Sequence, residues 1–358
     1  MSFGNKKEVG DKVNENIIEE KNIKCKHCSR SYRFIQVYET TKNIYICEAC
    51  LNAKKMIMED IEKNGETQKV GNYPKRPIDY FLIIDSFLCS EEIRSKLRLA
   101  ELIVNVAKNY LPDSIFKFHK LTDDNHLNNK KLQNLENKEV FLSESKSLND
   151  PFDMKAVFYR PENLIDFGNL KAYNGKVHEG FSNEFLIASF TLNDENNAKM
   201  WADYTNNHEG YCIKYKTDPQ INGKLYKALF PVQYTEERKD ITSILARTLE
   251  KMQEHKKVFR EDMTLHSLIF MFQCCVKHES WQSEKEFRII TDNRNGNTYA
   301  TKPDCIFIGI NCKYKSKLLE IGKTLNINVY QMKFDEFSNS FGFQKELLYE
   351  KVEVKNAY

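Results

Sequence analysis

The sequence predicts an α+β protein, with a mixed or antiparallel sheet core that carries helical insertions and a small N-terminal zinc ribbon in front of it. Three observations predict it. Two Cys-x-x-Cys pairs stand close together, at Cys25/Cys28 and Cys47/Cys50. From Phe116 onward, short apolar runs bounded by turn residues read as strands, and longer stretches with apolar residues every three or four positions read as helices. The resulting order of strand and helix signals is an α+β layout.

Taken along the chain, residues 1–24 are rich in Lys, Glu and Asn and poor in large apolar side chains, so burial cannot offset the entropy of ordering them; a disordered tail is expected. Residues 25–65 form the zinc module. Four thiolates in two short loops suit the tetrahedral preference of Zn2+, and a closed four-cysteine site leaves no position for water. Cys25, Cys28, Cys47 and Cys50 are therefore the expected ligands of a structural zinc, which stabilises a module too small to fold well alone. The eighteen residues between the pairs alternate along Tyr32-Arg33-Phe34-Ile35-Gln36-Val37-Tyr38, predicting two strands, and residues 51–63 have a helical period with Met56, Ile57 and Ile61 on one side.

Residues 66–112 read as linker and helix. A charged stretch with Gly and Pro ends at Pro77, and Ser90 followed by Glu91 and Glu92 supplies a helix start, because a hydroxyl caps free amides and acids oppose the dipole. The stripe Ile93, Leu97, Ala100, Val104 and Leu111 stops at Pro112. The core, 113–358, has strand signals at 116–118, 140–142, 185–190, 211–215, 231–234, 287–290, 305–310 and 329–334. Helical signals cover 241–277, with a polar break near Glu254, and 313–325.

Composition narrows the function. With 358 residues, 41% hydrophobic and 12% aromatic, the chain can bury a substantial core. Lys+Arg 54 against Asp+Glu 51 gives a formal charge of +3, so no global field demands nucleic acid or membrane. The strongest apolar run, 268–272, is too short to span a bilayer, and the polar N-terminus is unlike an export signal. The six cysteines outside the pairs are scattered among apolar neighbours, as reduced thiols are, which places the protein in the cytoplasm.

The chemistry-bearing residues fall into blocks. Trp281-Gln282-Ser283-Glu284-Lys285-Glu286-Phe287-Arg288 puts two carboxylates two positions apart at the start of a strand, on one face if the stretch is extended. A solvated edge strand would show the same pattern. Asn149-Asp150-Pro151-Phe152-Asp153 makes a rigid acid-bearing turn, with a purely structural turn as the alternative, because proline keeps Asp150 out of the helical region. Trp201, Tyr204 and His208 share one helix face at spacings of three and four and would line a cleft, unless His208 merely packs before Gly210. Lys117 alternates with Phe116 and Phe118 and points away from the face they bury.

Together the Lys-aromatic strand, the Asn-Asp-Pro-Phe block, the Met200-Trp-x-x-Tyr-x-x-x-His-x-Gly210 block and the Trp281 block resemble the bacterial domain-of-unknown-function family 2971 over residues 116–334. The same order, a basic strand, a serine-bearing strand and a Glu-x-Glu entry, is similar to the ADP-ribosyltransferase superfamily. That resemblance implies NAD as substrate, with Lys117 or His119 in the basic role and Ser143 or Ser145 in the serine role. Glu286 would be the catalytic carboxylate and Glu284 its auxiliary, with Asn149, Asp150, Trp201, Tyr204, His208, Trp281 and Arg288 around the ligand. A carboxylate would stabilise the oxocarbenium-like ribose left when the nicotinamide bond breaks. The Ser143 to Glu286 interval is longer than a compact transferase needs. The implied role is a toxin or antiviral defence effector with a nucleic-acid or protein acceptor reached through the zinc ribbon. Two other classes stay open: a metal-dependent nuclease using Asp150, Asp153, Glu284 and Glu286 around Mg2+, and a sensor that binds a nucleotide without turnover.

Overall fold

β-Branched and aromatic side chains at two-residue spacing build the central element, a nine-stranded sheet. The fold is given by a computed structural model, which describes strands at 23–24, 31–32, 37–41 and 44–47, then residues 80–81, 107–108, 110–176, 184–254, 268–339 and 341–352. The sheet strands are β1 Ser114–His119, β2 Ser143–Glu144, β3 Phe185–Thr191, β4 Tyr211–Lys216 and β5 Leu229–Pro231. They continue with β6 Glu286–Asp292, β7 Pro303–Ile308, β8 Asn328–Phe334 and β9 Phe343–Tyr349. Across the sheet they run β5-β6-β3-β1-β4-β7-β8-β9, with β2 also paired to β3. Only β7 and β8 are parallel, so the sheet is mixed.

Among the described helices are α1 Asn125–Glu136, α2 Ala198–Tyr204, α3 Gly223–Ala228, α4 Thr242–Glu254 and α5 Lys315–Leu325. The α5 helix makes the crossover that a parallel pair requires. It lies close on β8 because residue 322 is glycine: a Cβ there would stand 2.1 Å from Val329 Cγ2. The α1 helix starts where Asp124 Oδ1 accepts from the Leu127 amide at 2.9 Å, and it buries Leu132, Leu135 and Asn128. Asn128 is satisfied by the Thr122 backbone and the Tyr314 hydroxyl.

Strand periodicity divides the core in two. Ile187 of β3 and Ile290 of β6 join Tyr80, Phe272, Cys274 and Cys275 in one cluster. Their sequence neighbours Leu186, Ala188, Phe287 and Ile289 join Ile115, Ile213 and Leu318 in the other. Glu286 and Arg288 share the face of Ile290, so the strand alternation sends both charges into the first layer rather than to solvent.

Several expectations change. The strand expected at 231–234 is two: β5 ends at Pro231, and Gln233–Thr235 leaves the sheet to pair in parallel with Val276–His278. That second pairing also ends the long helix expected over 241–277, which is helical at Thr242–Glu254 and 268–273 and then becomes a strand. Neither α1 nor β9 was expected. The chain between 1 and 22, Cys25, Cys28 and Cys50, the helix expected at 51–63 and most of the helix from Ser90 lie outside the described residues. Cys47 ends the strand Ile44–Cys47, paired antiparallel with Val37–Thr41, but its side chain is outside them too. No helix among the described residues is long and apolar enough to cross a membrane.

Candidate functional site

The β3 strand is shared on one edge by two partners. β1 meets it at a single pair, Phe116 with Thr191, while β2 takes the other end, Ser143 with Ile187 and Glu144 with Leu186. Between them the Ser189 carbonyl is taken by Lys117 Nζ at 2.7 Å, whose ammonium also lies 5.3 Å from the Phe190 ring centre. At this gap in the sheet opens a cavity of about 810 Å³, walled by β1, α1, α2 and the Asn149 turn. That volume is in the range of small-ligand sites, roughly 300–1,000 Å³.

The cavity floor is ionic. Arg288, 1% exposed, grips Asp153 with Nη1 and Nη2 at 2.6 and 2.7 Å and Glu286 with Nε and Nη2 at 2.7 and 3.0 Å. Its remaining Nη1 proton goes to the Cys274 carbonyl at 2.7 Å, so all five guanidinium donors are used. Lys277 Nζ stands 2.6 Å from Glu284, 3.3 Å from Glu286 and 3.9 Å from Asp153, and 4.7 Å from the Trp281 ring centre. The Tyr204 hydroxyl donates to the other Glu284 oxygen. Three carboxylates face two cations here, and Lys117 on the adjoining wall is a third cation that Glu286 attracts.

Local sequence explains how these groups arrive. Asp150 accepts from the Phe152 amide at 2.9 Å and its carbonyl from the Asp153 amide at 3.1 Å, a tight turn that swings Asp153 inward. Glu284 ends a short 3-10 segment, Glu279–Glu284, and Lys285 takes a left-handed φ of 47° before β6 begins at Glu286. The two glutamates are thus not neighbours on one extended strand, and β6 lies between β5 and β3 rather than at a solvated edge. Both nevertheless end on Lys277.

Electrostatics follow from burial and these contacts. Burial alone would raise the Glu286 carboxyl, but the Arg288 and Lys277 charges outweigh it and hold it at about 2. Burial would likewise lower Lys277, yet its carboxylate partners leave it above its ordinary value. Lys117 is pushed down to about 8 by burial against the opposing pull of Glu286, and is still mostly protonated at neutral pH. Burial, then Lys117 and Lys131, drive His119 well below the usual histidine value. It is neutral, stacked 4.7 Å from Tyr211. Burial and the Glu284 hydrogen bond raise Tyr204, which stays a phenol.

Of the residues singled out in the sequence, Lys117, His119, Ser143, Asn149, Tyr204, Glu284, Glu286 and Arg288 line this one cavity. Asp150, Trp201, His208 and Trp281 are not among its lining residues, and the Ser145 side chain is outside the described residues. Trp201 is fully buried, its Nε1 donating to the Glu195 carbonyl at 2.8 Å. The helix expected to carry His208 ends at Tyr204; Asn206, Asn207 and His208 follow with φ of 55°, 54° and 68°. His208 instead packs parallel to Trp201 at 6.1 Å. A Cβ at Gly210 would lie 1.9 Å from the His119 carbonyl oxygen, so this block is a connector that lets β4 close on β1.

Sequence reasoning missed Lys277 and the lysines Lys120, Lys130 and Lys131, which line the cavity with Leu127 and Phe141, and it placed Asp153 only in a metal set. The readable signal for Lys277 was a lone cation ending the apolar run Cys274-Cys275-Val276. Among the described residues no group of three or more His, Cys, Asp or Glu side chains is placed to hold a metal ion.

The fold and the site define an α+β protein with a charged cavity in the gap of a mixed sheet. Over residues 200–289 the chain is similar to a family described as protein of unknown function (DUF2971). That span contains Tyr204, Lys277, Glu284, Glu286 and Arg288, most of the cavity floor, whereas the Lys117 and Asn149 blocks lie outside it. No curated protein and no solved structure matches the chain.

Proposed function

We propose that the cavity binds NAD and that the protein is an ADP-ribosyltransferase-like enzyme acting on a macromolecular acceptor. The observation that carries this reading is the layout of charge in the cavity: lysines along its wall and three carboxylates gathered at its floor. NAD has the matching polarity, an anionic pyrophosphate joined to a cationic nicotinamide ring. Lys117 and Lys120 would hold the pyrophosphate, with the nicotinamide riboside toward the floor.

Hydrogen-bond capacity supports a division of roles between the carboxylates. Glu286 receives Arg288 twice, Lys277, and the Ser189 hydroxyl, which fills its four acceptor positions. Glu284 receives Tyr204 and Lys277, which leaves two positions for a ribose hydroxyl. Glu284 is therefore the catalytic carboxylate, stabilising the ribosyl cation as the glycosidic electron pair leaves with nicotinamide, and Glu286 supports it electrostatically. Asp153 and Glu286 are engaged by Arg288, which disfavours the metal-dependent nuclease alternative.

Nicotinamide release from NAD, followed by chromatography, tests the reading. Glu284→Gln is expected to lower the rate at least 100-fold and Tyr204→Phe about tenfold, with circular dichroism unchanged. NAD-dependent thermal stabilisation without nicotinamide release would favour the sensor instead. Neither stabilisation nor release would sink both.

A further inference from the structure

The α1 helix turns Leu127, Lys130, Lys131 and Asn134 toward the cavity, at offsets of three, four and seven that place them on one helix face. The buried face of the helix is a different one, Asn128, Leu132 and Leu135. Beside this stripe stand Lys120, Gln133 and Asn297, and Phe141, which lines the same cavity and is 50% exposed; Leu127 is 41% exposed. Lys131 Nζ donates to the Lys120 carbonyl at 2.7 Å, tying its ammonium to the residue that follows β1. Asp203 is the acidic counterpoint on this wall.

Cations, an exposed aromatic ring and side-chain amides side by side are the three contact types that nucleic acid uses, for phosphate, base face and base edge. An acidic peptide would meet the same cations but brings no succession of flat faces to stack on Phe141. The floor beneath is closed by Tyr204 and the ion cluster, so a base held in a duplex stack cannot approach it, whereas an unpaired nucleotide can. We propose that the α1 face and Phe141 form a docking surface for single-stranded nucleic acid, with phosphates on Lys130 and Lys131, a base against Phe141, and one nucleotide presented at the cavity mouth. This deepens the preceding section by naming the acceptor class and rests on it for that role; the docking itself needs no NAD.

Fluorescence anisotropy of the full chain with labelled 15-residue oligo-dT and oligo-U tests it. Binding should weaken with salt, fall at least tenfold in K130E/K131E and several-fold in F141A, and stay unchanged in K323E. The milder K130A/K131A should lower the salt slope by about 1.4, at roughly 0.7 per phosphate contact on a single strand. Absence of binding at low salt, full binding by both lysine variants, equal binding of a duplex, or equal competition by polyglutamate would each overturn the docking surface. Nicotinamide release is read separately: NAD turnover without strand binding defeats only this inference, and strand binding without turnover defeats only the enzyme.

Discussion

The floor and the mouth of the cavity are both charged, and they handle charge in opposite ways. At the floor Asp153, Lys277, Glu284, Glu286 and Arg288 are all buried, and each answers another within 3.3 Å. At the mouth Lys120 and Lys130 are exposed to water. A buried charge costs several kcal/mol unless it is paired, so the floor exists only as a set, whereas a solvated lysine carries little folding energy and is available to a ligand. The floor therefore sets shape and potential, and the mouth is free to recognise.

The largest expected effect is at Arg288. Arg288→Met leaves Asp153 and Glu286 without their main counter-charge and should destabilise the core by about 3–5 kcal/mol in urea unfolding. Lys130→Ala should stay within about 0.5 kcal/mol of the parent. Similar costs for the two would erase the distinction between floor and mouth.

Acid should reveal the same contrast. The folded Glu286 carboxyl is held at about 2, below its ordinary 4.5. A depressed carboxylate contributes stability that is fully present above its unfolded value and is lost as pH falls from about 4.5 through about 2. Unfolding free energy should drop across that window, and in Glu286→Gln the drop should be shallower while the neutral-pH stability is already lower. An identical acid profile in the variant would remove Glu286 from the account.

The smallest effect on the core concerns the four cysteines, proposed to hold a structural zinc. Elemental analysis should give one zinc per chain, lost in a Cys25→Ser/Cys28→Ser variant, with nicotinamide release unchanged. Zinc retained by that variant would refute the ligand set.

Much of the site was legible, because local patterns set local geometry. Asn149-Asp150-Pro151 reads as a turn and folds as one, whereas Glu284 and Glu286, read as one face of a strand, are separated by the left-handed Lys285. His208 misled because apolar spacing continues through a helix end, and three left-handed residues then reverse the chain. Helix α1 escaped notice because it buries only Leu132, Leu135 and the polar Asn128, too weak a stripe for a periodicity to show. Lys277 and Asp153 were obscured for another reason: Asp153 finds Arg288 at a separation of 135 residues, and no window on the sequence spans that distance.

By itself the sequence determined most strands of the sheet, the turn before Asp153, and Glu284, Glu286 and Arg288 as charges of the site. Tertiary structure alone decided which charges neutralise one another, that among the described residues Glu286 takes more donors than Glu284, and that α1 brings its lysines to the same opening. Side-chain direction along a strand follows from a two-residue repeat, but the partner of a buried charge is chosen by whichever distant element packs against it.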